Sequence, residues 1–208
     1  MFQTGTYHSY PRKVALIGNF VPRRCGIATF TTDLQTALSA EDPAGEYWAV
    51  VMNDVPEGYA YPSEVRFEIN QRALGEYRLA ADFLNMNRVE IVCLQHEFGI
   101  FGGENGAHVL DLVADLRMPL VTTFHTVLQT PTTAQSAITR RIAQLSDRLI
   151  VMSRRGEHIL REVYDVPTEK IAFIHHGIPD VPFVDPNFYK DQYGVEGRKV
   201  LLTFGLLS

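Results

Sequence analysis

Residues 89–106, with the sequence VEIVCLQHEFGIFGGENG, decide the fold. Residues 89–95 contain a continuous apolar run, which is typical of a parallel strand covered by helices on both faces. A histidine, a glutamate and four glycines follow in residues 96–106, and a helix is predicted over residues 104–117. A buried strand that leads through a polar, glycine-rich loop into a helix is the repeating unit of an α/β protein.

The same alternation continues on both sides of this stretch. The other strands are predicted over residues 14–18, 47–52, 65–69, 120–124, 148–152 and 171–174. The other helices are predicted over residues 27–40, 71–87, 133–146 and 154–164. Strands that alternate with helices form parallel sheets through right-handed crossovers. We therefore predict an α/β fold with a Rossmann-like, doubly wound, mostly parallel sheet of about seven strands and helices on both faces.

The chain changes character after residue 177, which we predict to end the main domain. Residues 178–188, IPDVPFVDPNF, carry three prolines, and residues 178–198 are predicted to be a linker or hinge. Residues 199–205, KVLLTFG, have the composition of a strand but no further strands follow them. We expect residues 199–208 to be the first strand of a truncated second domain. An unpaired apolar strand is an association hazard, so we predict that residues 199–205 are either disordered or pair with another chain, and the second case would give self-association.

Composition narrows the classes of function. The chain has 208 residues, 46% of them apolar, with 19 basic and 24 acidic side chains and a net charge of −5. An acidic balance without a basic stripe argues against a nucleic-acid surface. The two cysteines form no CxxC pair, which indicates a reducing compartment and no zinc knuckle. No apolar run approaches the ~20 residues of a membrane helix. We expect a soluble, cytoplasmic protein.

Polar and charged residues follow the predicted strands. In an open parallel sheet, ligands bind outside the carboxyl ends of the strands. Five of the seven histidines lie there: His96, His125, His158, His175 and His176. Glutamate and arginine side chains lie there too: Glu97, Arg23, Arg24, Arg154 and Arg155. The sequence therefore predicts a site at this edge of the sheet.

The loop after the first strand is a candidate phosphate site. Gly26 opens a helix directly after the strand, and a helix start presents N–H groups and a positive dipole end. Arg23 and Arg24 add positive charge. The loop is neither GxGxxG nor a Walker loop, so the alternative is a turn glycine beside two solvated arginines. Cys25 has no evident base near it in the sequence, which disfavours a nucleophilic role.

Two further loops carry candidate chemistry. His96 and Glu97 begin a loop in which Gly102 and Gly103 permit a close backbone approach to a ligand, and the segment is not HExxH. The histidines show no helical ligand spacing, so no metal is expected. His125 ends a buried strand, which would place one imidazole at the site, although a core histidine with satisfied hydrogen bonds is the alternative.

Five segments carry a family resemblance. In order, they are PRRCGIATF, LQHEFGIFGGENG, PLVTTFHTVL, DRLIVMS and IAFIHHGIPDVPF. Together they resemble the amino-terminal domain of retaining glycosyltransferases of family 4, which have the GT-B fold of two Rossmann-like domains facing a cleft. Residues 199–208, KVLLTFGLLS, resemble the first strand of the second domain.

The resemblance implies a hexosyltransferase that moves a sugar from a nucleotide-diphosphate donor to an acceptor hydroxyl with retention. It implies no cofactor and no metal, and small-molecule partners only: a nucleotide sugar and a carbohydrate or other hydroxyl acceptor. The family's nucleotide-binding residues belong to the second domain, so this chain alone is expected to be inactive. Two alternatives remain open: a nucleotide-sugar epimerase of the same fold, and a non-catalytic sugar- or nucleotide-binding module.

The resemblance also implies site residues. His125 matches the family's active-site histidine, and Glu97 is the second catalytic candidate. The first loop matches the phosphate-binding loop, although Cys25 stands where family members often have a glycine; its residues are Arg23, Arg24, Cys25 and Gly26. The residues implied on the acceptor side are His96, Phe98, Gly99, Gly102, Gly103, Ser153, Arg154 and His176.

Overall fold

A computed structural model of the chain describes residues 11–178 and 182–203. The strands are β1 (Lys13–Gly18), β2 (Glu46–Asn53), β3 (Val65–Asn70), β4 (Ile91–His96), β5 (Leu120–Phe124), β6 (Arg148–Val151) and β7 (Ile171–Phe173). The helices are α1 (Gly26–Glu41), α2 (Leu74–Met86), α3 (Val109–Ala114), α4 (Thr133–Leu145), α5 (Arg154–Tyr164) and α6 (Pro186–Gln192). The chain divides into two compact units, Met1–His175 and His176–Ser208.

The first unit is built on one parallel sheet. Its strand order is β3-β2-β1-β4-β5-β6-β7, and every neighbouring pair is parallel. The sheet confirms the predicted Rossmann-like fold, and all seven strands agree with the prediction to within two residues at each end. Because the strands are parallel, the loops that follow β1, β4 and β5 meet at the same edge.

Both faces of the sheet are buried. In β2, Trp48, Val50 and Met52 belong to a large core cluster that includes side chains of α2, α3, α4 and α5. The alternating residues Ala49 and Val51 belong to a smaller cluster with Phe20. Since successive strand residues point to opposite faces, an apolar strand such as this one needs cover on both sides.

The predicted helix over residues 104–117 is wrong at its start. A 3-10 turn, Glu104–Gly106, comes first, and α3 occupies only Val109–Ala114. Asn105 has a φ of 52° and Gly106 a φ of 80°, and these left-handed conformations cannot continue an α-helix. The glycine-rich loop therefore extends further into the predicted helix than its spacing indicates.

The second unit contains a helix within the predicted linker. α6 begins at Pro186, and the Asp185 carboxylate accepts a hydrogen bond from the Asn187 N–H as its cap. Residues 199–203 form neither strand nor helix, and residues 204–208 lie outside the described residues. The strand predicted at residues 199–205, and the further domain that it would begin, stay predictions.

Candidate functional site

The β1–α1 loop is closed by a cysteine cap. Cys25 Sγ accepts hydrogen bonds from the Ala28 N–H, at 3.3 Å, and from Asn19 Nδ2, at 3.2 Å. Asn19 is fully buried, so the cap is anchored in the core. Gly26 is exposed at the first helical position, and a Cβ added there would meet no other described part of the chain within 4 Å. The first turn of α1 is therefore open on the side of Gly26.

The two arginines of this loop have different surroundings. Arg23 Nη1 donates to Asn19 Oδ1 at 3.1 Å and to the Met52 carbonyl at 2.9 Å, and its Nη2 lies 3.2 Å from Asp54 Oδ2. Arg23 thus ties the loop to the end of β2. Arg24 is exposed and forms no hydrogen bond or ion pair with any residue that the structure describes. Of the two predicted phosphate-binding cations, Arg24 is the one available to a ligand.

His125 lies where β4, β5 and α1 meet. Its backbone N–H donates to the His96 carbonyl at 3.0 Å, and its Nε2 lies 3.0 Å from Gln95 Oε1. Its ring also makes an edge-on contact with Phe30 of α1, with ring centroids 4.7 Å apart. The structure therefore brings the predicted catalytic histidine next to the first turns of the helix that opens at Gly26.

Glu97 links two loops of the same edge. One carboxylate oxygen accepts from the Phe98 N–H at 2.9 Å and so caps a 3-10 turn, Phe98–Ile100. The other oxygen accepts a hydrogen bond from the Thr126 hydroxyl. The carboxylate of Glu97 therefore fixes the loop after β4 to the loop after β5, next to His125.

The glycines of the β4–α3 loop differ in their surroundings: Gly102 and Gly103 pack against other residues of the chain, and Gly99 does not. A Cβ on Gly102 would lie 1.8 Å from the Gln71 carbonyl oxygen, and the Gly102 N–H donates to the Tyr77 hydroxyl at 2.8 Å. Gly103 has a φ of 79° beside the His108 ring. Gly99, by contrast, is exposed with open space around it. The close approach of the Gln71 backbone thus explains why residue 102 is a glycine, whereas Gly99 faces solvent.

His96 points away from this edge into the core. It has no exposed surface, and its ring lies among Phe98, Phe101 and Phe124 with centroid distances of 5.0 to 6.0 Å. Neither ring nitrogen has a hydrogen-bond partner among the residues that the structure describes. Burial lowers the pKa of His96 to about 3, with a smaller contribution from His125. His96 is therefore a neutral core residue in this structure, and its predicted contact with an acceptor stays a prediction.

The start of α5 supplies the remaining candidates of the first unit. Ser153 caps the helix by accepting a hydrogen bond from the Gly156 N–H at 3.0 Å. Arg154 is exposed, pairs with Glu157 at 2.8 Å, and lies 4.1 Å from the centre of the Phe173 ring. His176 belongs to the second unit, where its Nδ1 lies 2.7 Å from the Gly177 carbonyl oxygen.

Sequence reasoning missed two polar residues that organise this edge. Asn19 and Gln95 are both fully buried, and they hold Arg23 and His125 respectively. A polar side chain at the end of an otherwise apolar strand was the available signal, since a buried amide requires a partner. Thr126, the partner of Glu97, carries no such signal because it lies in a loop and is only partly buried.

The described residues offer neither a metal site nor a membrane-spanning helix. Within residues 11–178 and 182–203, no three His, Cys, Asp or Glu side chains are grouped as metal ligands. In the same part of the chain, no helix combines the length and apolar character needed to cross a membrane.

A cavity of about 570 Å³ lies at the opposite end of the sheet, between the carboxyl ends of α4 and α5. Its cations, Arg140 and Lys170, already donate to helix carbonyls.

The model of one protein family matches this chain. It is the model of Glycosyltransferase Family 4, and the match covers residues 26–180. The chain belongs to Glycosyltransferase Family 4. Membership confirms the resemblance seen in the sequence, and the match begins at Gly26, the first residue of α1. A comparison with curated proteins finds no match.

Two solved structures share the fold. A glycosyltransferase from Rickettsia africae ESF-5 matches with a TM-score of 0.61 and 15% identity, over 90% of this chain and 51% of that one. Anabaena HepE, in complex with UDP and glucose, matches with a TM-score of 0.54 and 11% identity, over 88% of this chain and 50% of that one. The chain thus spans about half the length of these two structures. Its fold corresponds to one half of a GT-B glycosyltransferase.

Proposed function

We propose that this chain forms the acceptor-side wall of a retaining hexosyltransferase, which moves a sugar from a nucleotide-diphosphate donor to an acceptor hydroxyl without a metal. Family membership supports the reaction class. One observation carries the site: the Phe30–His125 contact joins the end of β5 to the helix that opens at Gly26. The UDP and glucose bound to HepE support a nucleotide-sugar donor.

The donor diphosphate is proposed to lie at the start of α1. Cys25 caps the Ala28 N–H, so the first-turn N–H groups left for a phosphate are those of Gly26 and Ile27. Arg24 adds an exposed positive charge next to them. As the bond from the anomeric carbon to the phosphate oxygen breaks, negative charge grows on the leaving diphosphate. Fixed dipoles and a cation at this point stabilise that charge.

Retention is proposed to occur by attack on the same face that the diphosphate leaves. The acceptor oxygen forms the new bond to the anomeric carbon, and its proton passes to the leaving phosphate oxygen. A double displacement would need Glu97 as nucleophile, but both of its oxygens already accept hydrogen bonds. We propose instead that Glu97 holds the loops around His125, and that His125 orients a sugar hydroxyl beside the developing cation.

The acceptor is proposed to meet the exposed residues of the same edge. Gly99 faces solvent in the β4–α3 loop, and Ser153 and Arg154 are exposed at the start of α5. Phe98, Gly102 and Gly103 shape the β4–α3 loop. His176, in the second unit, belongs to the same proposal only through the family resemblance.

The test is transfer by the full-length protein with a panel of UDP- and GDP-hexoses and hydroxyl acceptors. We expect release of the nucleoside diphosphate that depends on the acceptor, and a product whose anomeric configuration, read by NMR, matches the donor. Residues 1–208 alone are expected to release none. Nucleotide binding without turnover would favour a binding module, and conversion of the donor sugar without an acceptor would favour an epimerase.

Self-association through residues 199–205 is part of the proposal. Leu201 and Leu202 are exposed in the described part of that segment, at 103% and 77%. Light scattering on residues 1–208 should show a mass above the monomer that falls when residues 199–208 are removed. A monomer at every concentration would contradict it.

A further inference from the structure

The buried side-chain amide of Gln95 contacts the His125 ring. Gln95, near the end of β4, has no exposed surface, and the start of its side chain packs against Gly18 of β1. Gly18 makes room for it, because a Cβ at that position would lie 3.1 Å from Gln95 Cβ and 3.1 Å from Thr31 Oγ1. The space for the amide therefore depends on contributions from β1, β4 and α1.

The amide of Gln95 is only partly satisfied. Its Oε1 lies 3.0 Å from His125 Nε2, whereas its own Nε2 has no hydrogen-bond partner in the described part of the chain. A buried NH2 group without a partner lowers stability. An apolar side chain of the same length would avoid that loss. Residues that break a packing rule in this way are expected at functional sites.

Strand geometry directs Gln95 to His125. Gln95 is in register with Thr123 of β5, and His125 comes two residues after Thr123. Since side chains alternate between faces, Gln95 and His125 lie on one face of the sheet while His96 and Phe124 lie on the other. The Phe30 ring contacts the imidazole edge-on from α1. The amide and the phenyl ring thus contact the imidazole from two different elements, β4 and α1.

We infer that Gln95 is a positioning residue that fixes the tautomer and the orientation of the His125 ring. This inference rests on the proposed function, which makes His125 part of the reaction. A carbonyl oxygen only accepts hydrogen bonds, so a hydrogen bond across the 3.0 Å contact requires the proton on His125 Nε2. In the neutral ring, Nδ1 is then an acceptor, which suits a sugar or acceptor hydroxyl and not a carbonyl group.

The direct test is the tautomer of His125, read from the 15N NMR shifts of its two ring nitrogens in residues 1–208 without substrate. We expect Nε2 to be protonated in the wild type. Gln95→Met keeps the length of the side chain and removes the oxygen, so it should give a mixture of tautomers. Gln95→Glu keeps an oxygen and should keep the Nε2–H form. The matched control is Gln35→Met, a buried amide of α1 that donates to the Tyr47 carbonyl.

Turnover of the full-length protein is the second readout. Gln95→Met should lower kcat roughly fivefold or more and leave the donor KM within about twofold, and Gln95→Glu should recover part of the loss. A proton on Nδ1 in the wild type, or an unchanged tautomer in Gln95→Met, would overturn the inference whatever the turnover. Absence of transfer by the wild type would instead refute the proposed function. The NMR result would still decide whether Gln95 determines the tautomer of the His125 ring.

Discussion

Arg23 and Arg24 differ in what surrounds their guanidinium groups. The Arg23 side chain is 12% exposed and binds Asn19, the Met52 carbonyl and Asp54. Arg24 is exposed beside the open first turn of α1. Arg23 thus stabilises the fold, whereas Arg24, in our proposal, binds the donor phosphate.

We predict that Arg23→Ala lowers the free energy of unfolding by about 2 kcal/mol, because it removes the hydrogen bonds that Arg23 donates to Asn19 Oδ1 and to the Met52 carbonyl. Arg24→Ala should change it by less than about 0.5 kcal/mol. Urea denaturation measures both. In the full-length protein, Arg24→Ala should weaken nucleoside-diphosphate binding roughly fivefold, which corresponds to about 1 kcal/mol. Unchanged affinity would remove Arg24 from the phosphate site.

His96 provides a pH-dependent contribution to stability. Burial lowers its pKa to about 3, from the ordinary value of 6.5 for a histidine in an unfolded chain. Between these values the unfolded state takes up a proton and the folded state does not. The free energy of unfolding therefore falls as the pH drops below about 6.5, by up to about 1.4 kcal/mol per pH unit.

We predict that His96→Leu removes this part of the acid sensitivity. Between pH 7 and pH 4.5 the wild type should lose about 2–3 kcal/mol more than the variant, as measured by urea denaturation at both pH values. At pH 7 the two should be similarly stable, since neither ring nitrogen of His96 has a hydrogen-bond partner within residues 11–178 and 182–203. Equal losses on acidification would show that His96 does not remain neutral in the folded chain.

At the scale of elements, the β4–α3 loop determines the shape of the candidate site. It is held by Gln71 and Tyr77, which approach Gly102 from the β3–α2 side. It is held on the other side by Glu97, which accepts a hydrogen bond from Thr126. The loop is therefore fixed between neighbouring loops, and its glycines are required by packing at some positions and by conformation at others.

Gly102→Ala should lower the free energy of unfolding by about 2–3 kcal/mol, because the added Cβ would overlap the Gln71 carbonyl oxygen. Gly99→Ala is the control in the same loop: nothing lies within 4 Å of its added Cβ, so its effect should be below about 0.5 kcal/mol. Thermal or urea unfolding of the two variants checks the difference. A Gly102→Ala variant as stable as Gly99→Ala would show that the loop moves freely away from Gln71.

Sequence patterns predicted the sheet well and the loops poorly. β5 and α5 begin and end at the predicted residues, because β5 (LVTTF) is rich in β-branched residues and α5 has a single apolar stripe. The predicted start of the helix at residue 104 is wrong because Asn105 and Gly106 adopt left-handed conformations, which the apolar periodicity of the sequence does not reveal. The Asp185–Pro186 signal for α6 was present but stood among prolines typical of a linker.

The candidate site was predictable only as an edge of the sheet. Strand order placed His125 and Glu97 at one edge, since parallel strands end together. The partners of each group were not predictable, because they depend on side chains from other elements: Gln95 and Phe30 for His125, and Thr126 for Glu97. Histidine alone did not separate a site residue from a core residue, as the burial of His96 shows.

For the whole molecule, the chain is a Glycosyltransferase Family 4 domain whose parallel sheet corresponds to half of a GT-B glycosyltransferase. The carboxyl edge of that sheet joins an open helix start, an exposed arginine and a positioned imidazole. We propose that this edge is the wall against which a nucleotide sugar and its acceptor react. The proposal makes His125 necessary for transfer and unnecessary for binding the nucleotide.

The most direct measurement is therefore turnover of the full-length His125→Ala variant, together with its affinity for the nucleoside diphosphate. The control is His158→Ala, which removes an exposed imidazole from α5. We predict that His125→Ala lowers turnover roughly tenfold or more while the affinity stays within about twofold, and that His158→Ala changes neither. Wild-type turnover in His125→Ala would contradict the account.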